Sequence, residues 1–225
     1  AAATMPGLIL AVFAGVIIDK VNRKWLLVFL DIFRMLIVIG FLYVLSYNQF
    51  QITFLYPVAL MMGLGNSLFW PTAQAFVQEL VDKEEYFNAN KLLSASYQVG
   101  SIFGAGVGGF IVHIYNPLIA LWINAFTYAI SAILISLAPF ERENFQTFEK
   151  KLFNSILKGF SYLKTRVDIL ILGVTTILSD VAIWGSMSVL TIAISKEIFH
   201  KGSLGYGIMD GLYGIGALTS TIVVG

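Results

Sequence analysis

The sequence has no cysteine, only two histidines, and charged residues at just 12% of its positions. Without cysteine there can be no disulfide staple, thiolate metal site, iron–sulfur cluster or Cys nucleophile. Two histidines without paired spacing do not make a zinc site, and no cofactor is expected. The 14 Lys and Arg nearly balance the 13 Asp and Glu, so the basic excess that nucleic-acid binding requires is missing. An initiating Met and a charged leader followed by a small-residue cleavage site are also missing, so no signal peptide is read. The chain opens in one apolar stretch and stops in another, which suggests an internal piece of a longer polytopic protein.

What is abundant is hydrocarbon. Hydrophobic residues make up 58% of the 225 positions, and the mean hydropathy is +0.82. A soluble domain is about 25% charged and could not hide this much apolar surface in one core. The excess must face lipid. Short polar breaks divide the chain into apolar spans at 1–18, 25–46, 52–78, 91–114, 117–139, 168–195 and 204–225. Each is near or above the roughly 20 residues a helix needs to cross a bilayer. Membrane-barrel strands would be shorter and strictly alternating. The expectation is therefore an all-α integral membrane protein, a polytopic helical bundle incomplete at both ends.

Orientation follows from the cations. With loops alternating sides, all but Lys196 and Lys201 of the 14 fall on one side, Arg34 lying just inside its span. The positive-inside rule makes the 19–24, 79–90 and 140–167 loops cytoplasmic. The longest loop carries Leu152, Phe153, Ile156, Leu157, Phe160 and Leu163 at helical spacing, ringed by lysines. That pattern predicts an amphipathic helix lying on the membrane surface beside anionic lipid. The loop divides the chain into 1–139, a linker at 140–167, and 168–225.

The first basic loop reads Gly15, Asp19, Lys20, Asn22, Arg23, Lys24. Its carboxylate suits the positive end of a neighbouring helix, and its cations suit helix C-termini or lipid phosphates. This spacing resembles the signature loop of the major facilitator superfamily, with Asn22 where that family usually has Gly, a position where Asn could adopt a left-handed turn. The resemblance implies that the seven spans are helices two to eight of twelve, that 140–167 is the inter-domain linker, and that Gly15, Asp19, Lys20, Arg23 and Lys24 help control inward opening. Gly100, Gly104, Gly108 and Gly109 lie in a stretch that looks like the glycine motif of drug/proton antiporters, with Ala105 replacing its proline. Physically, such glycines strip one helix face so that a neighbour can approach. The patterns around Trp70, Glu79 to Lys91, Leu157 to Leu163 and Leu204 to Gly216 resemble the bacterial branch that holds macrolide-efflux proteins and the enterobactin exporter.

Charges inside apolar spans each need a partner or a task, because insertion costs about 2.5–3.5 kcal/mol. Asp180, at the centre of its span, is read either as a protonation or cationic-substrate site or as a carboxylate bonded between helices. Asp31 and Arg34 share one helix face and are read as a structural pair that could join the gate. Asn66, Trp70 and Gln74 are candidate cavity contacts. Glu79 and the acids after it are read as solvated, as are His113 and His200. By resemblance, the whole is a non-enzymatic secondary transporter of the bacterial cytoplasmic membrane, monomeric when complete. It would exchange protons for a hydrophobic or amphipathic drug, macrolide or siderophore by alternating access. The alternatives are an importer or lipid-type transporter of the same fold, or a non-transporting receptor or scaffold.

Overall fold

The computed structural model describes residues 14–15, 17–46, 51–138 and 164–224. Six long helices are seen there: α1 (Arg23–Ser46), α2 (Leu55–Leu80), α3 (Tyr86–Ile114), α4 (Pro117–Leu137), α5 (Val167–Ala193) and α6 (Gly202–Val224). Among the described residues there is no strand. These helices sit on six of the seven expected spans, with ends shifted by a few residues. Most of the first span, and nearly all of the 140–167 loop with its amphipathic stripe, lie outside the described residues. Arg23–Ser46, Ile52–Leu80, Lys83–Ile114 and Pro117–Leu137 are long and apolar enough to cross a membrane.

Local chemistry sets the helix ends. Asn22 takes no left-handed turn: among the described residues only His200 and Gly202 have φ near +50°. Instead the Asn22 side chain accepts a hydrogen bond from the Trp25 backbone N–H at 3.2 Å and so caps α1. Asn116 caps α4 in the same way, accepting from Ile119 N–H at 2.9 Å, with Pro117 in the first turn where its missing N–H costs nothing. α5 runs into a wider π-type turn at Ile194–Ile198. There the buried Ser195 hydroxyl donates to Gly202 O at 2.6 Å and closes the corner into α6.

The chain forms two compact units. The first takes in described residues up to Ala95 together with Asn116 to Ala138, so it holds α1, α2, the start of α3, and α4. On α1 the residues Leu27, Asp31, Arg34, Val38 and Leu42 are buried at three- and four-residue spacing. They form one stripe, which α2 and α4 cover. Val38 and Leu42 pack with Ala125 of α4, flanked by Met35, Met62 and Tyr128. Few side chains are buried, while Phe29, Trp122, Phe126 and Leu137 stand exposed. An apolar exterior of this kind is what a lipid solvent allows and water does not.

The second unit holds the rest of α3 with α5 and α6. Here α3 and α6 meet backbone to backbone. A Cβ built on Gly109 would lie 2.8 Å from Ser203 O and 2.9 Å from Gly207 Cα, and one on Gly207 would lie 2.8 Å from Ala105 O.

Candidate functional site

Among the described residues of the first unit, two polar clusters are anchored on α1. The first lies where α1 begins. Asp19 and Lys20 are exposed at the end of the preceding helical stretch. Arg23 donates to Asp19 at 2.9 Å, to Glu79 Oε1 at 2.6 Å and to the Ala75 carbonyl at 3.3 Å. The neighbouring Lys24 donates to the Ala138 carbonyl, at the C-terminal end of α4, at 2.7 Å. Consecutive cations at one helix N-terminus thus hold the C-terminal ends of both antiparallel neighbours. Those ends carry free carbonyls and the negative pole of the helix dipole, so a cation there is stabilising. Glu79 corrects the expectation of a solvated acid: its side chain is only 16% exposed and is paired with Arg23. Gly15 is exposed, and no described atom lies within 4 Å of a Cβ placed on it.

The second cluster lies two to three turns further along α1. Arg34 and Asp31 are both buried and form an ion pair. Arg34 also donates to its own helix at Leu30 O, 3.3 Å away, and to Asn66 Oδ1 on α2 at 3.0 Å. Its guanidinium carbon lies 4.0 Å from the ring centre of Phe69 on α2 and 4.7 Å from that of Tyr128 on α4. A desolvated guanidinium between two aromatic faces is held by cation–π attraction as well as by its hydrogen bonds. The second carboxylate oxygen of Asp31 is buried and has no hydrogen-bond partner among the described residues.

Of the candidate cavity residues, Asn66 therefore meets Arg34. Trp70 stands edge-on to Phe69, with ring centres 6.5 Å apart and planes at 87°. Gln74 is exposed one turn further along. The four-residue spacing of these three puts them on one side of α2. An apolar groove of about 460 Å³ opens elsewhere between α1 and α2, lined by Phe33, Leu36, Phe41 and Met61 among others; none of the three reaches it. The Asp180 backbone is helical within α5, but its side chain lies outside the described residues, so the structure does not bear on either of its readings.

The glycine stretch is brought together only in part. Gly109 is at the α3–α6 contact, whereas no described atom lies within 4 Å of a Cβ placed on Gly100, Gly104 or Gly108. The contact stripe is Ile102, Ala105, Gly106 and Gly109, facing Gly207 and Gly214. The close approach uses the three- and four-residue rows through Gly109, not the row at 100, 104 and 108. Sequence reading also missed Gly65, Phe69 and Tyr128 around Arg34. A glycine immediately before Asn66 in an apolar helix was the available signal.

The chain matches the family described as transmembrane secretion effector along residues 1–225. It is 24% identical over 217 residues to "Putative bacilysin exporter BacE" of Bacillus subtilis, an overlap covering 94% of this chain and 53% of the relative. It is 23% identical over 232 residues to the MFS-type transporter YfmI of Bacillus subtilis strain 168, covering 98% and 56%. It is 30% identical over 126 residues to the lysophospholipid transporter LplT of Photorhabdus laumondii, covering 56% and 29%. The chain spans about half the length of the first two relatives. No solved structure matches.

Proposed function

The chain belongs to the transmembrane secretion effector family of major facilitator transporters, and from that premise we propose that the complete protein is a secondary active exporter. It moves a hydrophobic or amphipathic small molecule, of drug, macrolide or siderophore type, out of a bacterial cell in exchange for protons. The observation that carries this reading is the clamp at the start of α1, where Arg23 and Lys24 hold the ends of α2 and α4. An alternating-access transporter needs rigid helical groups that move as bodies, and a cation pair locking three helix ends together makes one. The 19–24, 79–90 and 140–167 loops face the cytoplasm, and the positive charge gathered there supports that orientation. Residues 1–139 belong to one half and 168–225 begin the other, joined by 140–167. The protein works as a monomer.

In this reading Asp180 exchanges the proton, and Asn66, Trp70 and Gln74 touch the substrate. A second reading is favoured by one observation, the similarity to LplT: the cargo is a single-chain lipid. The test is proton movement in proteoliposomes of the complete protein, wild type beside Asp180→Asn, challenged with amphiphilic antibiotics, siderophores and lysophospholipid. Wild type should couple proton flux to one class of compound, and the mutant should lose that coupling. Flux with lysophospholipid alone would establish the second reading. Equal coupling in both proteins would remove Asp180 from the mechanism, and gradient-independent behaviour with every compound would sink antiport.

A further inference from the structure

We infer that Arg34 is a positioning residue: it sets the rotation and height of α2 on α1, and with them the side of α2 that presents Asn66, Trp70 and Gln74. The link to substrate rests on the transport reading above; the seat of Arg34 does not.

The inference stands on how Arg34 is received by α2. Its aliphatic stem crosses α2 at Gly65, where an added Cβ would lie 2.8 Å from Arg34 Cγ and 3.1 Å from Cδ. Gly65 is itself buried, so the stem occupies space that any other residue would fill. Beyond the stem, the guanidinium reaches both Asn66, one residue on, and the Phe69 ring, one turn on. The other side of the group is fixed as firmly. It is paired with Asp31 and bonded to Leu30 O on its own helix, and it lies against Tyr128 of α4. A flat, rigid fork held at this many points on three helices tolerates little sliding or rotation of α2. Phe69 in turn supports the Trp70 ring edge-on. Lysine could keep the charge, but it lacks the planar fork that lies against both rings and bonds Asn66 and Asp31 through separate nitrogens.

The test reads the position of α2 without requiring transport. Gln74 is exposed, and so is Glu84 in the turn after α2. Gln74→Cys and Glu84→Cys, each in the complete protein cleared of any other cysteine, are solubilised in detergent and reacted with a charged maleimide. Gly65→Ala changes no charge and forces the Arg34 stem to move; Arg34→Lys keeps the charge and removes the fork. Each should change the labelling rate at position 74 at least threefold and leave that at position 84 unchanged. Gly40→Ala on α1, with no described atom within 4 Å of its new methyl, should change neither. Asn66→Ala removes a single hydrogen bond at an exposed residue, so it reports even where the other variants fail to fold. It should shift position 74 in the same direction.

Unchanged labelling at 74 in folded Gly65→Ala or Arg34→Lys protein overturns the inference, as does equal change at 74 and 84. In transport, Gly65→Ala should raise KM for the active compound by at least threefold while changing kcat less. The reverse split overturns the link to substrate. A labelling shift in a protein that moves no compound sinks the transport reading and leaves the seat of Arg34 standing.

Discussion

Removing Arg34 should damage the protein more than removing Asp31, and removing both should restore most of what either loses. The reasoning is an inventory of what each deletion strands. In Arg34→Met the Asp31 carboxylate stays buried, its side chain 1% exposed, and loses the one hydrogen-bond donor it has among the described residues; its other oxygen has none among them to begin with. An uncompensated buried charge costs about 3–5 kcal/mol, and this case belongs at the upper end. In Asp31→Leu the stranded cation keeps Leu30 O, Asn66 and two aromatic faces, so the cost falls to about 2–3 kcal/mol. The double variant buries two hydrocarbon chains of similar bulk and strands neither charge, which places it within about 1 kcal/mol of wild type. With about 4–5 and 2–3 kcal/mol for the single changes and about 1 for the double, the coupling between the two sites is at least about 5 kcal/mol.

The assay is the loss of the folded elution peak after heating the detergent-solubilised complete protein across a temperature series. At about 1–2 °C per kcal/mol for a protein of roughly twice this length, Arg34→Met should fall by roughly 4–10 °C and the double variant by about 2 °C at most. A double variant as labile as Arg34→Met would refute the pairing. A wild-type-like Arg34→Met would refute the burial argument itself. If Asp31→Leu proved the worse single change, the ring contacts would be holding the cation far less than the geometry implies.

Two further outcomes follow from the remaining contacts. Glu79→Gln should cost about 1.5–3 kcal/mol, because it weakens a charge-assisted bond to Arg23 in a half-buried setting, while Asp19→Asn, with its side chain 61% exposed, should cost under about 1 kcal/mol. The same thermal series ranks them, and the opposite order would show that Arg23 is held by its neighbour in sequence and not by α2. Gly109→Ala pushes a methyl onto the backbone of α6 and should cost about 1–3 kcal/mol, whereas Gly104→Ala meets no described atom within 4 Å and should stabilise α3 by about 0.5–1 kcal/mol. A Gly109→Ala protein that melts like wild type would remove the close α3–α6 contact.

The sequence made some of this architecture legible because a bilayer imposes a one-dimensional rule. Transfer cost is summed along the chain, so the helix spans could be read from hydropathy to within a few residues, without knowing which helix lies beside which. Asp31 and Arg34 were legible as a pair for the same reason: three residues apart on one helix, they meet whatever the fold does. Glu79 was not, since its partner Arg23 is 56 residues away and becomes a neighbour only once α1 and α2 pack antiparallel. The glycines of α3 show the same limit. Composition announced a close-packed helix, but only the position of α6 decides that Gly109 carries the contact. Asn22 was misjudged by comparison with glycine, although the residue has a second use, capping, that glycine serves less well. The intramembrane-charge rule says that a buried cation must be satisfied, not by what. For Arg34 much of the answer is written in apolar letters, Gly65, Phe69 and Tyr128, which no count of charges would pick out. A seat that combines a missing side chain with two ring faces is specific to the guanidinium shape, which is why Arg34→Lys is the substitution that separates shape from charge.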